Sequence, residues 1–407
     1  MENKTLRSVL IGVLLVVFLV CGFSGGFVAG HFVPVNLLPT ATPTQISDLG
    51  GTPQDLQTLF APFWQAWTLV HQDYVDQPVD DTKLMEGAIS GMLSSLGEAH
   101  TVYFDPSAYQ AFNAELVGQY AGIGAYVDVT GKYLTITQPM NGSPAEKAGL
   151  QAGDEIIAVD GQDMTGIKPE TVRQKVLGPA GTTVRLTIQR PNRASPFDVV
   201  ITRAQIVIPS VTSKMLDNGI AYIQLTDFSQ NSAQDFHDQL QALMAKHPKG
   251  LILDLRNNGG GLVTTAISIG SEFIDHGVLF YLQDSSGTKK PSYVQSGGLA
   301  TQIPLVVLVN GLTASASEIV SGAIQDDGRG KLVGVVTYGK GTEQYFTQLK
   351  NNQGGVDITA ARWFTPNGRS IDKKGLTPDV IVPMTADDVN AGRDPQLDAA
   401  VKLLSNP

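Results

Sequence analysis

Two nearly unbroken apolar runs, Leu251-Ile-Leu-Asp-Leu255 and Leu305-Val-Val-Leu-Val309, limit what the C-terminal half of this chain can become. A strand with one solvated face alternates apolar with polar residues, whereas a continuous run needs cover on both faces. Around these runs strands and helices take turns: a strand over 219–225, a helix over 231–245, a helix after Gly261, a helix over 315–325 and a strand over 334–337. The pattern predicts an α/β layer, a sheet with helices on both sides. Residues 363–371, with Asn367-Gly368 suited to positive φ, read as a hairpin.

At 407 residues the chain is too long for one domain. Residues 54–117 form a helical region, with Phe63, Trp67, Val70 and His71 and then Leu84, Ile89, Met92 and Leu96 recurring at helical spacing. Residues 118–204 read as a β-rich module: strands at 122–127, 133–137, 154–160 and 183–189, a short helix at 143–148, and a second at 169–177 opened by Pro169. Residues 205–390 hold the α/β core, and 391–407 a C-terminal helical tail packing on it. The fold class expected is α/β and multidomain.

Ahead of these lies an exported N-terminus. Lys4 and Arg7 precede 20 uncharged residues, 10–29, just enough for a membrane helix that leaves the following chain outside. A cleaved signal peptide is the alternative, since the densest apolar part, 9–20, has signal-peptide length. Both readings export the protein, and 1–30 is the expected anchor or signal segment. The Pro-, Thr- and Gly-containing stretch 31–53 reads as a spacer. The single cysteine, Cys21, lies within the apolar run, so no disulfide braces the remainder. A net charge of −10 with no Lys/Arg run argues against a nucleic-acid partner.

The chemistry concentrates in three glycine-rich segments. Ser315 opens the predicted helix 315–325, where a side chain stands at the C-terminal edge of a sheet and beside unpaired helix N–H groups that suit an oxyanion. The plain alternative is a helix cap, since Ser315-x-x-Glu318 fits a capping box. A serine hydroxyl needs a base, and Lys340, in Tyr338-Gly-Lys-Gly341, serves if burial keeps its amine neutral. Gln344, four residues on, shares a face with it on a regular strand and orients the amine. Asp254-Leu-Arg-Asn-Asn-Gly-Gly-Gly261 leaves a strand with glycines that let backbone approach a ligand. Residues 334–340 match the start of a phosphate-binding loop, but Gly341 stands where the hydroxyl must be and a strand pattern follows. His71, His100, His237, His247 and His276 show no metal-ligand spacing; no metal and no cofactor are expected.

The residues quoted so far, with Gly87-Ala-Ile-Ser-Gly-Met-Leu93, Leu96-Gly-Glu-Ala-His-Thr101, Ile220-Ala-Tyr-Ile-Gln-Leu225, Phe364-Thr-Pro-Asn-Gly368 and Gly375-Leu-Thr-Pro-Asp379, resemble the carboxyl-terminal processing (tail-specific) proteases. The resemblance covers nearly everything after the spacer. It implies Ser315 as nucleophile, Lys340 as general base, Gln344 as its orienting partner, and an oxyanion hole from the backbone of Gly260 and Ala316. It also implies that 118–204 is a PDZ domain, whose Gly122, Ile123 and Gly124 aim N–H groups at a peptide carboxylate while the helix around Val172 walls an apolar pocket. Gly259 stands where a proline is common and Glu98-Ala99 where Asp-Pro is common. The function expected is an extracytoplasmic serine endopeptidase acting on proteins with apolar C-terminal tails; homo-oligomerisation and an activating adaptor stay open. The rival is a catalytically silent, membrane-anchored PDZ scaffold.

Overall fold

The structure, a computed structural model, describes residues 53–405. The expected span 10–29, Cys21 within it and the spacer as far as Thr52 lie outside the described residues. Among those described, no helix is long and apolar enough to cross a membrane. The described residues fall into two compact units that divide between Asp81 and Thr82.

In the first unit the helix Gln57–Asp73 buries none of its residues. Phe63, Trp64, Trp67 and His71 contact one another along it, with the His71 ring stacked on Trp67.

The second unit is built on a six-stranded sheet in the order Val211–Met215, Ala221–Leu225, Leu251–Asp254, Leu305–Val309, Lys331–Gly334, Val380–Ile381. Only the first pairing is antiparallel. The continuous apolar runs are explained by what covers each face. Leu251, Leu253, Leu305, Val307 and Val309 point into a large core with the helices Ser232–Met244, Val263–Ser271 and Ala316–Asp326. The alternate residues Ile252, Val306, Leu308 and Val333 point to the other side, where Ala400 and Leu404 of the helix Pro395–Ser405 cover them. Burial on both faces is what a period of two converts into an unbroken apolar run.

A second sheet joins Thr342–Gln348, Gly355–Phe364, Val278–Gln283 and Lys289–Tyr293. Its edge carries Val102–Phe104, antiparallel to 355–357. This strand lies within the region 54–117 expected to be helical, between the helices Asp81–Ser94 and Pro106–Val117. The expected hairpin over 363–371 is corrected. Gly355–Phe364 ends there, and the chain turns, with Gly368 at φ +77° and its N–H donated to Thr365, without a returning strand.

The β-rich module has its own core, from Leu134 and Ile136 to Ile188 and Ile201. Its main sheet runs in the order Ala125–Asp128, Leu134–Pro139, Glu155–Val159, Thr183–Gln189, Phe197–Thr202. A separate ribbon of Gln119–Gly122 and Ala204–Val207 joins the chain where it enters and leaves the module.

Candidate active site

Ser315 sits at φ +54°, ψ −117° between the strand Leu305–Val309 and the helix Ala316–Asp326. An L residue rarely enters that region, and holding one there costs on the order of 1–3 kcal/mol. The surroundings enforce it. The Ala314 N–H and the Ser317 hydroxyl both donate to the Asn258 carbonyl at 3.0 Å, and Asn258 is anchored through Nδ2 to the Leu225 carbonyl at 2.9 Å. Ser315 is thereby held half-buried while its neighbours on either side are buried.

Glu318 joins the serine turn to the lysine loop. It caps the helix as its spacing suggests, its N–H donating to the Ser315 carbonyl (2.8 Å) and its Oε2 accepting the Ser315 N–H (2.9 Å). The same Oε2 accepts the Lys340 N–H, also at 2.9 Å, so the two backbone nitrogens lie no more than twice that distance apart. Its Oε1 accepts the Gly339 N–H at 2.8 Å and the Thr337 hydroxyl. Glu318 is fully buried; burial pushes its carboxyl up, and these donors pull against it.

The lysine loop is fixed from the other side too. Trp363, itself buried, donates its indole N–H to the Lys340 carbonyl at 2.8 Å. Glycine is required at 339 and 341, because a Cβ there would fall 2.7 Å from the backbone of Gly375 and Asp372. No helix follows this loop; the strand Thr342–Gln348 does, which removes the phosphate-loop alternative. Burial lowers the Lys340 pKa, and the charges of Asp357 and Glu98 oppose that lowering. Among the described residues no hydrogen bond joins the Lys340 amine to the Ser315 hydroxyl, so the two come together through their backbone, not yet through their side chains.

Gln344 lies in this neighbourhood in a different engagement. Its amide nitrogen donates to the hydroxyls of Thr342 (2.7 Å) and Thr359 (3.1 Å), and Thr359 donates onward to Glu98 at 2.9 Å. A β-bulge between Glu343 and Gln344 breaks the regular alternation that would set residues 340 and 344 on one face.

Gly260, at φ +103°, presses on the serine turn: a Cβ there would lie 2.8 Å from Ser315 Cβ and 2.9 Å from the Ala316 nitrogen. Its N–H is donated to Asn258 Oδ1 at 2.9 Å. The Ala316 N–H, in the first turn of its helix, has no intrahelical acceptor. In the β-rich module Gly124 takes φ +77°, while Ile123 and Val172 are both buried in the module's core. Among the described residues no cluster of three His, Cys, Asp or Glu could hold a metal ion.

Three residues of this site carry roles that sequence reasoning did not assign. Glu318 was visible only as a helix cap. Glu98 stands out in sequence only as an unusual residue in its motif, and Asp357, which burial pushes up and Lys340 draws down, shows no local signal at all.

Fold and site together define a serine-type peptidase. Residues 219–382 match the model of peptidase family S41, 135–190 that of a PDZ domain, and 22–108 that of the N-terminal domain of the activating protease CtpB. The chain is 37% identical to the carboxy-terminal processing protease CtpA of Bacillus subtilis, over 78% of this chain and 67% of that one. It is 34% identical to the carboxy-terminal-processing protease of Bartonella bacilliformis, over 88% and 81%. A Bacteroides fragilis structure described as an S41 protease shares the fold at a TM-score of 0.52, with 16% identity over 83% of this chain and 96% of that one. The chain belongs to the carboxy-terminal processing proteases of family S41.

Proposed function

We propose that this peptidase works outside the cytoplasm, cutting proteins near their C-termini with Ser315 as nucleophile and Lys340 as general base, after the PDZ module grips the substrate tail. The observation that carries the dyad is the shared Glu318 oxygen, which holds the backbone of both residues in one place. The basic tip followed by 20 uncharged residues supports export.

The neutral Lys340 amine swings from the side of Asp357 and Glu98 onto the Ser315 hydroxyl and takes its proton as Oγ attacks the scissile carbonyl. The Ala316 N–H meets the developing oxyanion. Gly260 joins it when its N–H leaves Asn258. The ammonium then protonates the departing amine, and water, deprotonated by the same lysine, releases the acyl-enzyme. Gln344, through its free carbonyl end, steadies the amine as it moves. The PDZ groove is supported by the strand Ala125–Asp128, which among the described residues is paired on one side only and leaves an edge for an added peptide strand.

The test is an unfolded protein with an apolar C-terminal tail, followed by intact mass. The wild type is expected to trim it and Ser315→Ala to leave it whole, and amidation of the tail should slow trimming about tenfold by removing the charge the groove receives. Trimming by Ser315→Ala at the wild-type rate would remove the nucleophile assignment. Equal rates on acid and amide would remove the groove's role.

A further inference from the structure

The mouth of the PDZ groove already holds a side chain. A methyl group placed on Gly122 would lie 2.8 Å from Tyr120 Cε2 and 3.1 Å from Leu177 Cδ2, so the phenol ring covers the start of the Gly122-Ile-Gly-Ala125 turn. The ring reaches along that turn, with its hydroxyl 4.0 Å from Met140 Sδ. Met140 is the neighbour of the turn's far end, its own N–H donating to the Gly124 carbonyl at 3.0 Å.

The ladder shows which way the turn's donors point. Ala125 pairs with Pro139, and the Met140-to-Gly124 bond places that pair between ladder bonds, so the Ala125 N–H faces the open edge. An incoming C-terminal carboxylate has to meet the donors at that edge. The Tyr120 ring, lying against Gly122 with its hydroxyl beside Met140, stands at that turn, and burial raises the phenol's pKa while the neighbouring backbone of Ala125 and Gly124 and the charge of Arg173 pull against the rise.

Resting on the reading of this module as a receptor for substrate tails, we propose that Tyr120 is a built-in plug: its hydroxyl occupies the place of the tail's terminal carboxylate, and a tail binds only by displacing it. The plug sets a threshold. A ligand offering an apolar side chain without a carboxylate gains too little from the turn's N–H groups to expel the ring, whereas a charged terminus makes stronger bonds to the same donors. Tail affinity is therefore reduced by the fraction of time the plug is in place.

The test uses the full chain with Ser315→Ala, so that nothing is cleaved, and a fluorescein-labelled peptide ending in Ala-Val-Leu, as free acid and as amide. Binding is read by anisotropy for Tyr120, Tyr120→Phe and Tyr120→Ala. The acid is expected to bind about threefold or more tighter to Tyr120→Phe, which keeps the ring and removes only the oxygen, and about tenfold or more tighter to Tyr120→Ala. The amide should gain much less from Tyr120→Phe. Equal acid affinity in all three chains, with acid still preferred over amide, overturns the plug and leaves the tail receptor standing. Weaker acid binding by Tyr120→Phe also overturns it, by making the hydroxyl a contact for the tail. Acid and amide binding alike in every chain removes the receptor reading and the plug with it.

Discussion

Lys340→Met should lower kcat/KM for tail cleavage by about 10²–10⁴-fold, the range set by loss of a general base, while the protein stays folded. Methionine keeps the aliphatic stem that packs in the loop and removes only the amine. The amine contributes two opposing effects, a burial penalty and an attraction to Asp357 and Glu98. Their removal together is expected to shift stability by no more than about 1 kcal/mol, measured as a urea midpoint. The sign of the pH dependence follows from the same burial. A base works only when neutral, and burial places this lysine below the ordinary value of 10.5. Wild-type kcat/KM should therefore rise with pH through that lowered pKa and level off before free lysine titrates. Between the two values the unfolded chain binds a proton at this position that the folded chain does not, so the Lys340 contribution to stability also improves as pH rises. A variant retaining more than a tenth of wild-type activity would show that the proton goes elsewhere.

Glu318→Gln is the second large effect, and it separates position from chemistry. A carboxylate offers two acceptor oxygens to four donors: the Ser315 and Lys340 N–H groups on one, the Gly339 N–H and the Thr337 hydroxyl on the other. An amide offers one oxygen and one NH₂, so either the Ser315 and Lys340 pair or the Gly339 and Thr337 pair loses its acceptor. Two bonds to a charged group disappear in a fully buried place, a loss of about 3 kcal/mol or more. The serine turn and the lysine loop then drift relative to each other. Because misplacement of reacting groups by about 1 Å can cost 10²-fold, kcat should fall at least about 10²-fold with KM nearly unchanged. Glu318→Ala, which strands all four donors, should fail to give folded protein. A Glu318→Gln enzyme with wild-type kcat and melting temperature would refute the shared-oxygen account.

How much of this was legible in the sequence depends on how local each signal is. The central sheet could be read because burial on both faces writes itself into consecutive residues such as Leu305-Val-Val-Leu-Val309. Ser315 and Lys340 could be read because a strained turn and two tight backbone approaches demand glycine around them. What could not be read came from pairings between distant segments. Val102–Phe104 is only three residues, too short to show a period of two, and its partner 355–357 makes it a strand. Gln344 is re-aimed by a bulge that no residue type announces. Asp357 and Glu98 meet the lysine from segments 17 residues after it and 242 before it. Tyr120 carries no local signal either, since only the fold lays its ring against Gly122.

The central claim is that the Ser315 hydroxyl becomes a nucleophile when Lys340 is neutral, and the rate of covalent labelling by a fluorophosphonate reads that step without any substrate tail. With the adduct located by peptide mass mapping, labelling should fall on Ser315 and accelerate with pH through the lowered lysine pKa, and in Lys340→Met it should be slow with that rise gone. An adduct on another residue, or an identical rate and pH profile in wild type and Lys340→Met, would contradict it.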